Sequence, residues 1–164
     1  MASEGDAPAG GALPPAPPAT SAAVRVRMQG NRRRDTTPEL ALRRELHRRG
    51  RRFRVDHPPL QGVRRRADLV FPRHRVSVFV DGCFWHSCPQ HGTTPSRNAV
   101  YWVEKLARNR DRDAETDRLL GDAGWVSMRI WEHEPVDAAA DAVEAVLDAR
   151  DPERGGPREP RPGV

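Results

Sequence analysis

Long apolar stretches are scarce in this sequence of 164 residues, only 37% of which are hydrophobic. No run approaches the roughly 18 consecutive apolar residues that a membrane-spanning helix requires, so an integral membrane protein is not expected. The N-terminus also lacks the basic and then apolar pattern of a secretory signal. The sequence therefore predicts a cytoplasmic protein without a membrane partner.

Cysteine is equally scarce, since the chain contains only Cys83 and Cys88, which lie five positions apart. Two cysteines cannot build the dense disulfide framework of a small secreted domain. In a chain expected to stay in the cytoplasm, so close a pair favours metal binding over a structural disulfide.

Lysine occurs once, so arginine supplies nearly all of the 28 basic side chains. The formal net charge is +5, but residues 25–134 carry 24 basic and 14 acidic side chains. A basic centre between more acidic ends favours a polyanionic partner, most simply nucleic acid. A compositional bias accounts for part of the preference for arginine, but not for where the positive charge is concentrated.

The two ends of the chain differ in composition from its centre. Residues 1–27 combine an Ala-, Pro- and Gly-rich segment with the start of a basic arm, and residues 150–164 are rich in proline and charge. Neither segment has the apolar content to offset its loss of chain entropy on folding, so both are predicted to be disordered. Residues 28–149 then form one domain of ordinary size, expected to be a monomer.

The order of the predicted helices and strands indicates the fold class. Thr36, Pro38 and Glu39 have the spacing of a helix start, in which Glu39 closes a capping box, and Gly50 is a natural stop. Apolar periodicity predicts strands around Phe53–Val55, Ala67–Phe71, Val76–Val80 and Val126–Ile130, and helices over about Asn98–Asp122 and Val136–Leu147. Helix, three strands, helix, strand and helix together predict a mixed α/β sandwich with one sheet.

The segment from Val78 to His91 concentrates the residues that carry chemistry. Cys83, Cys88 and His91 provide two thiolates and one imidazole, a donor set that suits Zn²⁺. His133, which follows the last strand, is the best candidate for the fourth ligand, and His86 and His57 are its rivals. Four protein ligands would make a closed, structural site. The alternative is a pair of buried free thiols beside surface histidines.

Two carboxylates have both a structural and a functional interpretation. Asp68 stands beside a continuous apolar run, where it either pairs with a neighbouring arginine or binds a hard cation such as Mg²⁺. Glu39 lies on the apolar face of the first helix, where it either belongs to the capping box or points toward an active site.

His86 and the aromatic pair beside it belong to the same segment. If zinc takes the other donors, His86 is held rigidly near Asp68 and Asp81, as a general base for water attack requires. The alternative is a core histidine. The position of Phe84 and Trp85 beside a basic face indicates that these rings insert as wedges between DNA bases.

These residues resemble the very-short-patch-repair (Vsr) DNA mismatch endonucleases. The resemblance runs from about Met28 to Glu134 through Arg34-Asp35-Thr36 with Glu39, Ala67-Asp68-Leu69-Val70, Val80-Asp81-Gly82-Cys83-Phe84-Trp85-His86, Trp102-x-Glu104-Lys105, Asn109, Asp113, Gly124-Trp125 and Trp131-Glu132-His133. It implies a restriction-endonuclease-like fold, a central mixed β-sheet flanked by helices, and structural Zn²⁺. It also implies Mg²⁺-dependent nicking of one strand of duplex DNA at a T:G mismatch, with mismatch-repair proteins as possible partners.

The same resemblance implies roles for individual residues. Asp68 and the backbone of Val80 would bind Mg²⁺, His86 would be the general base, Asp113 would orient His86, and Glu39 would hold metal-bound water. Cys83, Cys88, His91 and His133 would bind Zn²⁺, and Phe84, Trp85 and Trp102 would intercalate into DNA.

The sequence departs from the family pattern at two places. Val80 and Asp81 replace Thr and His, and Arg64-Arg65-Arg66 precedes Asp68 instead of a short Gly-Arg-Pro turn. Two other functions fit the residues: a same-fold nuclease that acts on other modified or unmodified DNA, and a non-catalytic, zinc-stabilised DNA-binding module.

Overall fold

The computed structural model describes residues 34–93 and 95–151. Its elements, in chain order, are α1 (Thr37–Arg48), β1 (Arg54–His57), β2 (Ala67–Phe71), β3 (Val76–Asp81), α2 (Ala99–Asp122), β4 (Val126–Trp131) and α3 (Val136–Ala149). This is the predicted order. The two tails predicted to be disordered, residues 1–27 and 150–164, lie almost entirely outside the described residues.

The four strands form one mixed sheet in the order β1-β2-β3-β4. β1 pairs with β2 and β2 with β3 in antiparallel fashion, whereas β3 and β4 are parallel. A parallel pair requires a crossover connection, and α2 makes it. The prediction of a mixed sheet flanked by helices is confirmed.

The apolar core lies between the sheet and the helices α1 and α3. Strand alternation sends every second side chain to this face, where Leu69, Val78 and Ile130 pack against Leu46 of α1 and Val143 of α3. These five side chains are at most 5% exposed. Most of the hydrophobic stabilisation therefore comes from this side of the sheet.

The first helix begins and ends much as its sequence predicts. At its C-terminal end Gly50 has φ +80°, a conformation that glycine adopts without steric cost. At its N-terminal end the capping box is shifted by one residue. Glu39 accepts hydrogen bonds from the Asp35 backbone N–H and from the Thr36 hydroxyl, rather than from the Thr36 N–H.

None of the helices within residues 34–93 and 95–151 is both long enough and apolar enough to cross a bilayer.

Candidate active site and metal cluster

The second face of the sheet, which α2 covers, carries charged side chains. Phe79 pairs with Arg129 in the β3–β4 register, and Asp81 lies two residues beyond Phe79 on the same face. Asp68 also lies on this face, because its neighbour Leu69 pairs with Val78 on the opposite one. The alternation that buries the core therefore also gathers ionisable groups under α2.

A cavity of about 800 Å³ opens over this face. The cavity is lined by Glu39, Gly62, Val63, Arg64, Arg65, Arg66, Asp68, Phe79, Val80, Asp81, His86, Arg112, Asp113, Thr116, Leu119 and Arg129. The predicted carboxylates, the predicted base and the arginine-rich loop thus share one cavity. A cationic rim around acidic groups suits a phosphate backbone that must approach a metal site.

Asp68 occupies the point where β2 and β3 separate. Its Oδ2 accepts a hydrogen bond of 2.7 Å from the Val80 backbone N–H. Burial raises the pKa of Asp68 to about 6, although this hydrogen bond opposes the shift. A carboxylate that is costly to ionise without a counter-charge suits a divalent cation, because the cation supplies the missing positive charge.

His86 lies between two carboxylates. Its Nδ1 is 2.6 Å from Asp113 Oδ2 and 3.6 Å from Asp81 Oδ1. Burial opposes the charged imidazolium, but the hydrogen bond with Asp113 and the charge of Asp81 outweigh it and raise the pKa of His86. When Nδ1–H donates to Asp113, Nε2 is left as the nitrogen that can accept a proton.

Asp113 comes from α2. Burial disfavours its charge, but the hydrogen bond with His86 and the charge of Arg129 prevail and lower the pKa of Asp113. It is therefore a stable anion that can hold an imidazole in one orientation.

Arg129 is a site residue that the sequence reasoning missed. It contacts the side chains of Asp81, Asp113 and Asp117. Its sequence signal is a charge within an otherwise uncharged strand, on the face opposite Met128 and Ile130. Such a charge must find partners.

Glu39 also lines the cavity, but its carboxylate is fully engaged. Beside the two bonds at the start of α1, its Oε2 accepts a 3.0 Å hydrogen bond from Arg43 Nη2. Arg43 is itself buried, and its Nε has no hydrogen-bond partner among the described residues. Both interpretations of Glu39 therefore coexist, since it belongs to the helix start and its charge faces Asp68.

The predicted metal donors come together at the end of β4. One ligand atom from each of Cys83, Cys88, His91 and His133 lies within 4.8 Å of the others. Individual separations are 3.1 Å from Cys83 Sγ to His133 Nδ1, 3.8 Å from Cys88 Sγ to the same nitrogen, and 4.0 Å from Cys88 Sγ to His91 Nδ1. In tetrahedral zinc sites neighbouring donors are about 3.3–3.8 Å apart, and the three separations lie within about 0.2 Å of this range, so a small movement of the side chains would let the set hold the ion.

The two rival ligands lie elsewhere. His86 contacts Asp113, and the His57 ring lies 3.1 Å from Arg54 Nη1. Burial raises the pKa of the Cys83 thiol to about 11, so a bound cation would have to displace a proton from this sulfur.

The backbone of the loop between β3 and α2 supports the cluster. Gly92 N–H donates to Cys88 O at 2.7 Å, and a Cβ at Gly92 would lie only 2.5 Å from that oxygen. Only glycine fits this turn without movement. Glu132, at the end of β4, accepts a 2.6 Å hydrogen bond from the Cys83 N–H, a second contact that the sequence reasoning did not identify.

The aromatic side chains form one cluster beside the loop. Phe84 lies 5.0 Å from Trp85 and 5.3 Å from Trp102 between ring centroids, and Tyr101 lies 5.3 Å from Trp102. Lys105 Nζ lies 5.3 Å from the Trp102 centroid. Trp102 is only 7% exposed, whereas Phe84 and Trp85 are half-buried. Trp102 therefore supports the other two rings in this conformation and is not itself available for stacking.

Comparisons with known proteins show what the chain is similar to. A family model described as DNA mismatch endonuclease Vsr matches residues 19–90, a range that includes Glu39, Asp68 and His86. The type II nicking enzyme V.NaeI of Lentzea aerocolonigenes is 48% identical over 123 residues, which cover 74% of this chain and 72% of the relative.

Two further relatives point the same way. The type II nicking enzyme V.XorIIP of Xanthomonas oryzae is 39% identical over 115 residues, 69% of this chain and 82% of the relative. The DNA mismatch endonuclease Vsr of Escherichia coli is 34% identical over 100 residues, 60% of this chain and 62% of the relative.

Proposed function

The chain belongs to the Vsr family of DNA mismatch endonucleases and is a strand-nicking endodeoxyribonuclease, and we propose that it cuts one strand of duplex DNA at a T:G mismatch in a Mg²⁺-dependent reaction. Family membership confirms the predicted restriction-endonuclease-like fold. The substrate is double-stranded DNA that contains the mispair, and mismatch-repair proteins are the expected partners.

One observation carries the catalytic assignment: the His86–Asp113 pair and Asp68 line the same cavity. His86 accepts a proton from water at Nε2 while Asp113 holds Nδ1–H. The water oxygen bonds to phosphorus as the bond from phosphorus to one deoxyribose oxygen breaks, and that oxygen leaves and takes up a proton from solvent. General-base catalysis of this kind contributes roughly 10²- to 10⁴-fold to a rate.

Asp68 and the Val80 backbone carbonyl are the proposed ligands of Mg²⁺. Support comes from Asp68 Oδ1, which accepts no hydrogen bond from the described residues, and from the burial that disfavours an uncompensated charge on this carboxylate. A Mg²⁺ ion held by these two groups would polarise the scissile phosphate and would balance the negative charge that develops on it. Glu39 adds negative charge beside Asp68, but its oxygens are already engaged by Arg43 and the start of α1.

Zinc is the proposed occupant of the Cys83, Cys88, His91 and His133 cluster, because two thiolates and two imidazoles match its preferred donors. Four protein ligands leave no open position, so the ion is structural. Its role is to hold the 82–92 loop, and with it His86, against the end of β4.

Recognition of the mispair is assigned to the aromatic cluster. Phe84 and Trp85 enter the base stack as wedges, and Trp102 follows only if its ring leaves the buried position that it has here. A weakly paired step costs less to unstack than a matched one, so a wedge favours mismatches. Arginines that line the cavity, such as Arg64, bind the phosphate backbone of the DNA.

The decisive experiment is a nicking panel. Purified protein is incubated with Mg²⁺ and with duplexes that differ only at one position, which carries a T:G mispair, a matched T:A or C:G pair, or another mispair. We expect the nicking rate of the T:G duplex to exceed that of matched DNA by at least about tenfold. Equal rates on all duplexes would refute the mismatch assignment.

The panel also tests the two other functions. The names of V.NaeI and V.XorIIP describe nicking enzymes without stating a mismatch, which favours the same-fold nuclease acting on other DNA as the second candidate. A DNA-binding module without catalysis would bind the T:G duplex but leave both strands intact.

Metal analysis tests the zinc assignment separately. We expect one zinc per chain, and we expect Cys83→Ser to lose the ion and to become unstable or insoluble, because the loop then has no anchor. Ser87→Ala is the matched control in the same loop, since Ser87 is not among the clustered donors. A Cys83→Ser protein that folds as well as the parent without zinc would contradict the structural role.

A further inference from the structure

Two carboxylates compete for one imidazole nitrogen in the cavity. His86 Nδ1 is 2.6 Å from Asp113 and 3.6 Å from Asp81. A single N–H can make only one short, linear hydrogen bond. A small rotation of the ring would bring Nδ1 closer to either carboxylate, so the surrounding contacts must determine which one accepts the hydrogen bond.

Arg129 engages the competitor. Its Nη1 donates to both oxygens of Asp81, at 3.1 and 2.9 Å. Its Nε donates to both oxygens of Asp117, at 3.3 and 3.1 Å. Asp81 is only 4% exposed, and this guanidinium binds its buried carboxylate through these two hydrogen bonds.

The same side chain also reaches the chosen acceptor. Arg129 Nη2 lies 3.4 Å from Asp113 Oδ1, whereas His86 contacts the other oxygen, Oδ2. The carboxylate of Asp113 is therefore held on one side by the arginine and presents its second oxygen to the imidazole.

The backbone register makes this arrangement rigid. Phe79 pairs with Arg129 across β3 and β4, and the guanidinium carbon lies 5.0 Å from the centroid of the Phe79 ring. Ser127, two residues earlier on β4, donates a 2.6 Å hydrogen bond to Asp117. The arginine is thus packed from the sheet side and anchored from α2.

We propose that Arg129 and Asp81 form a positioning pair for the nicking reaction. Arg129 holds the Asp81 carboxylate by hydrogen bonds, so that Asp113 is the sole acceptor for His86 Nδ1–H. This inference rests on the proposed role of His86 as the base. The pair acts through His86 and is not itself required to touch DNA. It assigns Asp81, whose role the sequence leaves open, to the contact with Arg129.

The pair predicts an unusual pattern of rescue. Arg129→Gln frees Asp81 to compete for His86, and we expect the single-turnover nicking rate at saturating T:G duplex to fall roughly 10- to 100-fold, the range of coupling between contacting charged groups. Adding Asp81→Asn removes the competing anion. The double variant should therefore recover to within about threefold of the parent, although it has lost one more native side chain.

Nuclear magnetic resonance of ¹⁵N-labelled histidine supplies a readout that is independent of activity. Parent and double variant should both show His86 as one species protonated on Nδ1, and Arg129→Gln should show a mixed or altered pattern. Arg118→Gln is the matched control, because it removes an arginine from an exposed 3.0 Å ion pair with Asp122 on α2. We expect it to leave both readouts unchanged.

The outcomes separate this inference from the proposed function. A parent protein that nicks no duplex would refute the function, while the His86 spectra would still test the pair. A double variant that folds but stays as slow as Arg129→Gln would overturn the pair, because it would show a direct need for the arginine. If Arg129→Gln does not fold, the double variant decides alone: a rate within about threefold of the parent supports the pair, and a loss of tenfold or more overturns it.

Discussion

The two faces of the sheet are built from the same strands but obey different physical requirements. On the side of α1 and α3, Leu46, Leu69 and Val143 are fully buried in the apolar core. On the side of α2, Asp68, Asp81 and Arg129 are buried or half-buried in a network of charges. The first face supplies stability, and the second holds ionised groups that would be costly unless they had a use or a partner.

This difference indicates where to look for function in such a fold. Successive residues of β3 contribute Val78 to the core and Phe79 and Asp81 to the site, so structure and chemistry alternate along one strand. A substitution on one face should therefore change stability without a specific effect on catalysis, and a substitution on the other should do the reverse. Three variants, from the largest expected effect to the smallest, test this separation.

Of these three variants, His86→Ala should have the largest effect on catalysis. We expect the single-turnover nicking rate to fall on the order of 10³-fold because the variant lacks the imidazole that accepts the proton from water. The unfolding midpoint in urea should change little. His74→Ala, in the β2–β3 turn far from the cavity, is the matched control, and a similar rate for both variants would remove His86 from the mechanism.

Leu46→Ala tests the opposite face. It should lower the free energy of unfolding by about 3 kcal/mol, because a fully buried side chain leaves a cavity. The nicking rate per folded molecule should stay within about twofold. Val100→Ala, at a position 83% exposed on α2, should change stability by less than about 0.5 kcal/mol. A specific loss of catalysis in Leu46→Ala would show that the faces are not separable.

Asp113→Asn should have a smaller catalytic effect than His86→Ala. The amide can donate to Nδ1 and so stabilise the wrong tautomer of His86, which we expect to cost on the order of 10²-fold in nicking rate. Asp111→Asn, exposed on the same helix, is the control with the same chemical change. A parent-like rate for Asp113→Asn would mean that the 2.6 Å contact is only structural.

The sequence predicted the elements well because their signals are local. The apolar alternation of Val76, Val78 and Val80 and the glycine that follows α1 specify β3 and the end of the helix without reference to the rest of the chain. The four clustered metal donors were also proposed correctly as neighbours in space, since three of them lie in one loop and the fourth follows a strand that ends nearby.

What the sequence did not reveal depends on tertiary contacts. Arg129 looks like an interruption of an apolar strand until the β3–β4 register sets it beside Phe79 and near Asp81. Glu132 looks like an ordinary surface acid until the loop delivers the Cys83 N–H to it. Trp102 is a large aromatic residue of the kind that inserts between DNA bases, but its burial follows from packing against the other aromatic rings and cannot be read from the sequence.

The pKa of Asp68 connects the stability of the fold with the proposed reaction. Its pKa in the folded chain is about 6 because of burial, against an ordinary value of 3.8. The folded state therefore binds more protons than the unfolded state between about pH 4 and 6, so stability falls as pH rises through this window and remains lower above it. A residue retained at such a cost is expected to serve the reaction rather than the fold.

The most direct test of this account is Asp68→Asn, with unfolding and nicking measured on the same preparation. At pH 7 without divalent ions, the variant should be more stable than the parent by on the order of 2 to 3 kcal/mol. This advantage should disappear as the pH is lowered to about 4, and nicking with Mg²⁺ should be lost at every pH. Asp111→Asn should change neither property. An Asp68→Asn protein that loses stability at pH 7, or that still nicks DNA at the parent rate, would contradict the central claim that this buried carboxylate is maintained for catalysis.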